Sequence, residues 1–321
     1  MEGREGTSIP DRPAPPGFVL ELAGARLAFR SAGFPLRDVH DYYIPFLRPL
    51  RASADVEFLV RAGRFPRRPA SARALYRAPG NWRVYRERDG YRFETMDLEL
   101  RRTAQVARLD PGLTRGEVFV RPRRGKAGGS GPSAPTWSLH QLVGPVATHC
   151  LIRFLAHSPQ PGLLCHASGV IDAGRGILFV GRSGTGKTTL WEFWRRAGAT
   201  VLGDERTLIR RLGGEYRVFG SPWPGSRPVA TDASAPLRQI YLISHGTRHS
   251  VRPQGLTQSF AAVYPQVYGP RWDARTRSAQ LQVTEDLLRS VPCSALSFRK
   301  DPDVVAFLRE RHGAAMRGAA R

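Results

Sequence analysis

Gly181-Arg182-Ser183-Gly184-Thr185-Gly186-Lys187-Thr188 fills every fixed position of the pattern G-x-x-x-x-G-K-[ST]. Each residue type has a physical reason to be there. Glycines let a backbone wrap an oxyanion without Cβ collisions. The amides that open the following helix point their N–H groups at the anion, and the helix dipole adds to the attraction. A lysine at this place reaches the β- and γ-phosphates of a nucleotide, and the Thr188 hydroxyl is placed to ligate Mg²⁺. The predicted phosphate-binding set is Gly181, Arg182, Ser183, Gly184, Thr185, Gly186, Lys187, Thr188 and Thr189. The bland alternative is a chance glycine-rich turn before a helix, and the filled positions argue against it.

Two further features stand at suggestive distances from Lys187. Asp204-Glu205 ends the short apolar run Thr200-Val201-Leu202-Gly203, seventeen residues downstream. That interval holds one helix of about three turns, a turn and one short strand. It predicts a strand next to the phosphate-loop strand, with its acids at the loop's level, where ligands bind in such sheets. Neighbours on a regular strand face opposite ways, so Asp204 and Glu205 can divide labour between Mg²⁺ and an acceptor hydroxyl. A surface acid pair in a turn is the alternative. His166 lies twenty-one residues before Lys187. A hairpin through Val170-Ile171-Asp172 and Gly176-Ile177-Leu178-Phe179 would bring it beside the loop, to touch phosphate or orient the acceptor. A structural histidine is the alternative. No G-x-S-x-G elbow supports serine-triad chemistry.

These residues need elements to hold them. The run Gly176–Val180 is a strand, and 189–197 is a helix ending near Gly198. Leu142, Val143, Val146, Ala147, Cys150, Leu151 and Leu155 recur at helical spacing, which predicts a buried-face helix over 138–157. Upstream the pattern is β. Phe18–Leu22 and Arg26–Arg30 flank Ala23-Gly24, while Trp82–Arg86 and Tyr91–Glu94 flank Asp89-Gly90, so each pair predicts a hairpin. Val56–Val60 and Val118–Val120 add strands, and the whole predicts an antiparallel sheet with one solvated face. Further strands are expected at 237–243 and 294–298, and helices at 258–264 and 302–311. The divisions expected are a disordered tail over 1–16, a β-rich domain over 17–121, a flexible basic linker over 122–135, an α/β nucleotide-binding domain over 136–312 and a frayed end over 313–321.

Composition sets outer bounds. The chain has 321 residues and a formal net charge of +22, from 49 Lys+Arg against 27 Asp+Glu. Such a field favours anionic ligands. Only Lys126, Lys187 and Lys300 are lysines, the remaining cations being arginine. That bias is equally what a skewed genomic composition produces, and no basic helix or recognition motif accompanies it, which argues against nucleic acid. Three cysteines without a C-x-x-C exclude a disulfide framework and zinc fingers. No run of 18 apolar residues occurs, so no spanning helix is expected. With no apolar stretch at the N-terminus, a cytoplasmic protein without membrane contact is the expectation.

Together His166, Lys187, Asp204 and Glu205 resemble the HPr serine kinase/phosphorylase family, related to the phosphoenolpyruvate carboxykinase-like nucleotide fold. The resemblance covers residues 160–245 and runs more loosely to 312, and it is similar to the kinases that tailor lasso peptides. It implies a P-loop α/β kinase using ATP and Mg²⁺ to phosphorylate a serine or other hydroxyl of a peptide or protein. In that comparison Glu205 stands where the family has its base, an aspartate one methylene shorter, and Asp204 with Thr188 would hold the metal. His166 and Lys187 complete the implied catalytic set, and such kinases often form homo-oligomers. The family's second metal-binding glutamate has no counterpart. Phe219-Gly220-Ser221-Pro222-Trp223-Pro224-Gly225-Ser226-Arg227 occupies that stretch, similar to a loop of the peptide kinases. There Trp223 would shape the substrate or sit in the core, and Arg227 would meet the phosphate or solvent. A small-molecule kinase of the same fold, and a nucleotide-binding regulator or nucleic-acid-associated ATPase, are the rival expectations.

Overall fold

The computed structural model describes residues 17–31, 41–50, 53–78, 81–97, 101–121, 143–223, 225 and 229–319. The expected tail over 1–16, the basic linker over 122–135 and Arg227 lie outside them.

The N-terminal half is one nine-stranded sheet: β1 (Gly17–Leu22), β2 (Ala25–Ser31), β3 (Leu47–Arg48), β4 (Val56–Ala62), β5 (Arg73–Arg77), β6 (Trp82–Glu87), β7 (Gly90–Asp97), β8 (Arg102–Leu109) and β9 (Arg115–Val120). Both predicted hairpins form. Ala23 and Gly24 take φ of 51° and 76°, the left-handed pair that matches a tight hairpin's twist. The strand order is β3-β1-β2-β4-β9-β8-β7-β6-β5. The expectation of an antiparallel sheet is corrected at its centre, because β4 runs parallel to both β2 and β9. The chain crosses over between β2 and β4 instead of turning back. A cross-strand row of Arg30, Leu59, Glu117 and Arg108 lies on one face. Phe29, Phe58, Val118, Val84 and Phe93 are buried on the other.

A one-turn segment at Val143–Ala147 leads into α1 (Thr148–His157), shorter than the predicted helix. Residues 138–142 lie outside the described chain. The predicted apolar stripe from Val143 to Leu155 is buried. It packs on the apolar face of the first sheet, in one core cluster with Leu164, Leu208 and Trp223 from the second half. Fully burying a side chain of this kind is worth roughly 1.5–3 kcal/mol, so this shared core couples the halves.

The second half carries β10 (Gly162–Asp172), β11 (Arg175–Val180), α2 (Lys187–Arg196), β12 (Thr200–Gly203), β13 (Arg206–Leu212), β14 (Glu215–Phe219), β15 (Ser234–His245), β16 (Ser250–Pro253), α3 (Leu256–Val263), α4 (Ala274–Ser290), β17 (Cys293–Phe298) and α5 (Asp303–Ala319). The result is a mixed α/β architecture. β11, β15 and β17 form a parallel centre. α2 and α5 cover one face through Leu190, Trp191, Trp194, Val304 and Leu308. α3 and α4 cover the other through Val263, Val283 and Leu287. The backbone of α5 is helical to Ala319, past the Gly313 from which a frayed end was expected.

Candidate functional site

The glycine-rich loop joins β11 to α2, as its sequence requires. Gly184 and Gly186 hold φ of 83° and 99°, a region closed to most residues with a Cβ. A Cβ on Gly186 would also lie 2.7 Å from the Phe298 ring. No side chain caps the start of α2, which leaves its first-turn amides to the loop's interior. Arg182, Ser183 and Gly184 form the exposed tip, while Lys187 is buried at the base. The Lys187 Nζ donates to the Gly181 and Arg182 carbonyls at 2.8 and 3.1 Å. His245 Nε2 lies 3.0 Å from the Gly184 carbonyl. A carbonyl only accepts, so the imidazole donates here.

Asp204 is brought to the same place. Thr188 Oγ1 donates to Asp204 Oδ2 at 3.3 Å, and Asp204 Oδ1 accepts from the Gly225 amide at 3.0 Å. Gly225 sits so close that a Cβ there would lie 2.6 Å from Asp204 Oδ1 and 2.7 Å from the Glu205 Cβ. The route to this placement differs from the expected one. β12 pairs with β10, and β10 separates it from β11. The acids also occupy a bend between β12 and β13 rather than a regular strand, so strand alternation does not divide them. The long β10 makes the arrangement work, because it pairs with β11 along one edge and with β12 and β13 along the other.

His166 lies on β10 opposite Arg206, one residue before the Ala167–Val180 pair that leads into the loop. The expected β10–β11 hairpin therefore forms. Burial first, then the Lys187 charge, pushes the His166 imidazole below the ordinary histidine range; Glu205 pulls upward and Arg206 downward. Burial likewise lowers Lys187, against the pull of Cys165, Glu205 and Asp204. Thus the structure gathers His166, Lys187, Thr188, Asp204 and Glu205 around one space.

Three side chains complete the surroundings. The Arg206 guanidinium lies over the Tyr268 ring at 5.2 Å and over the Trp223 ring at 5.7 Å. The His166 ring stacks near Tyr268 at 6.2 Å. Trp223 is buried in the core shared with the first sheet, with Arg206 on its ring. Arg206 and Tyr268 escaped the sequence reading. The only available signal was that Arg206 follows the acid pair directly; Tyr268 reaches the site through backbone pairing of Cys165 with Val267, far apart in sequence.

The donor set suits a hard divalent cation. Thr188 and Asp204 offer two oxygens, and no group of three or more His, Cys, Asp or Glu that could cage a metal occurs among the described residues. Two protein oxygens fit an ion such as Mg²⁺, which keeps waters and shares phosphate oxygens.

No family model matches the chain, and no curated protein matches it. Among solved structures it is similar to the Hpr(Ser) kinase/phosphatase from Coxiella burnetii, with 10% sequence identity and a TM-score of 0.32. The match covers 49% of this chain and 94% of that one. A similarity of that size fixes neither fold family nor activity. No helix among the described residues is long and apolar enough to cross a membrane.

Proposed function

We propose that the chain is an ATP-dependent phosphotransferase of the P-loop, HPr-kinase-like type, acting on a hydroxyl of a peptide or protein, with serine the leading acceptor. The observation that carries this reading is the Thr188–Asp204 contact, which ties the first turn of the loop's helix to the acid pair. A nucleotide holder without chemistry would need the glycine loop and one metal-binding acid, but not the second carboxylate, Glu205, that stands beside Asp204 with its charge on Lys187 and His166.

The roles follow from the chemistry of each group. Loop amides and the α2 N-terminus bind the phosphates. Lys187 exchanges the Gly181 and Arg182 carbonyls for phosphate oxygens, and its charge offsets the negative charge that develops during transfer. Thr188 and Asp204 would hold Mg²⁺, which supplies charge neutralisation between the β- and γ-phosphates. Glu205 takes the acceptor hydroxyl's proton as the oxygen–phosphorus bond forms. A neutral His166 donates or accepts one hydrogen bond and orients that hydroxyl.

The test is phosphate transfer from radiolabelled ATP to a peptide library, with metabolites assayed in parallel. Lys187→Ala is expected to abolish transfer. Glu205→Gln is expected to abolish transfer yet keep nucleotide affinity. Near-normal transfer by Glu205→Gln would remove Glu205 as the base, and labelling of metabolites alone would favour a small-molecule kinase.

A further inference from the structure

Arg206 is set apart from the other arginines of the core. Arg92 pairs with Glu94, Arg153 with Asp273, and Arg210 with backbone carbonyls at Ala23 and Gln160. Arg206 has no carboxylate within ion-pair distance among the described residues. It is held by two aromatic faces, Trp223 and Tyr268. Its own sequence neighbour Glu205 does not pair with it. A guanidinium held this way has already lost its rotamer freedom and keeps donors for a planar oxyanion.

Its location says which anion. β10 lies between β11 and β13, so Arg206 stands two strand spacings, ~10 Å, from the strand that feeds the glycine loop. Lys187 and the loop amides already serve the nucleotide on the β11 side. The Arg206 charge instead reaches His166, Tyr268, His149 on α1 and Tyr43 beside the first sheet. Arg206 therefore stands at the junction of the two halves, against Trp223 of their shared core, and directly follows Glu205 in the chain.

We infer that Arg206, clamped between Trp223 and Tyr268, determines acceptor specificity by binding a compact oxyanion, carboxylate or phosphate, carried within a residue or two of the hydroxyl that is phosphorylated. This deepens the kinase reading and rests on it for the identity of the hydroxyl.

The experiment uses the full chain and three capped tetrapeptides, identical except that Asp, phosphoserine or Asn follows a central serine. Affinities are measured by isothermal titration with and without Mg²⁺ and a non-hydrolysable ATP analogue. The wild type is expected to bind at least one anionic peptide about tenfold or more tightly than the Asn peptide, the worth of one hydrogen bond to a charged group. The Asp and phosphoserine arms separate carboxylate from phosphate. Arg206→Met is expected to erase the difference and leave nucleotide affinity unchanged. Inorganic sulfate is expected to compete with the preferred anionic peptide on the wild type, a comparison that needs no variant. Equal or absent binding of all three peptides by the wild type overturns the inference, as does discrimination that survives Arg206→Met. If the wild type bound no nucleotide, the kinase reading would fall, while the titration without nucleotide would still decide the role of Arg206.

Discussion

Thr188 on the first turn of α2 donates its hydroxyl proton to Asp204 at the end of β12, although β10 lies between the strands that lead to them. Asp204 is also held from its other oxygen by the Gly225 amide. The pair is thus fixed from three separate segments of chain. Replacing Asp204 with Asn keeps the shape and removes the charge. Even outer-shell partners of a metal are worth about 10–100-fold in affinity, so the Mg²⁺ dependence of nucleotide binding should weaken by roughly a hundredfold. Thr188→Ala should weaken it less. Nucleotide titrations across Mg²⁺ concentrations check both, and an unchanged Mg²⁺ dependence in Asp204→Asn would remove these oxygens from metal binding.

Gly186 combines a φ of 99° with close approach to Phe298. Gly186→Ala should cost ~2 kcal/mol in stability from the left-handed backbone alone. It should also displace the loop and abolish nucleotide binding. Gly184 has nothing within 4 Å of an added Cβ, so Gly184→Ala carries backbone strain without a collision and should be the milder lesion. Thermal melting and nucleotide titration of the two variants make the comparison.

His245 anchors the exposed tip of the loop through the Gly184 carbonyl. A hydrogen bond of this kind is worth about 1 kcal/mol, a factor of about five in affinity. His245→Phe should weaken nucleotide binding by that factor, and His245→Gln, which keeps an N–H donor, should recover most of it. Equal affinities in the two variants would show that the ring acts only by packing against Phe298.

His149 is a buried imidazole whose Nδ1 donates to the Pro145 carbonyl at 2.6 Å. Burial, against that hydrogen bond and aided by Arg206, brings its pKa down to about 4. The unfolded chain titrates near 6.5. Between those values the unfolded state binds the extra proton, so stability is full above about pH 6.5 and declines as pH falls toward 4. The loss from this one group is ~3 kcal/mol. Urea melts at pH 7 and pH 4.5 should show it, and His149→Phe should flatten that part of the pH dependence. A slope that survives the substitution would assign it to other groups.

Legibility followed sequence distance. The glycine-rich loop is contiguous, and glycine at 184 and 186 matches the left-handed backbone found there, so its conformation was legible from residue types alone. Asp204 was found from its offset even though the strand between was missed, because one helix and one short strand return the chain to the same level however the sheet is ordered. α4 left no apolar stripe to read: Thr276, Gln280 and Thr284 are buried among Val283 and Leu287, so half of its inner face is polar. Its start was marked only by Asp273, which accepts from the Thr276 amide. The Trp223–Arg206–Tyr268 stack joins three residues with no local relation, and no periodicity in the chain encodes it. β4 between two parallel neighbours was hidden for the same reason, since alternation predicts a strand and says nothing of its direction.

The apolar cluster in which Leu164, Leu208 and Trp223 meet β1, β2, β4 and α1 bears on how the protein can be handled. A chain cut after Val120 would bare those three side chains and the inner stripe of α1 to water, on the flank of the sheet that carries Arg206. Such a fragment should clump on expression, and the Trp223 ring beneath Arg206 would lose its backing. Trimming this protein to its second half therefore discards the partner that keeps that half in shape.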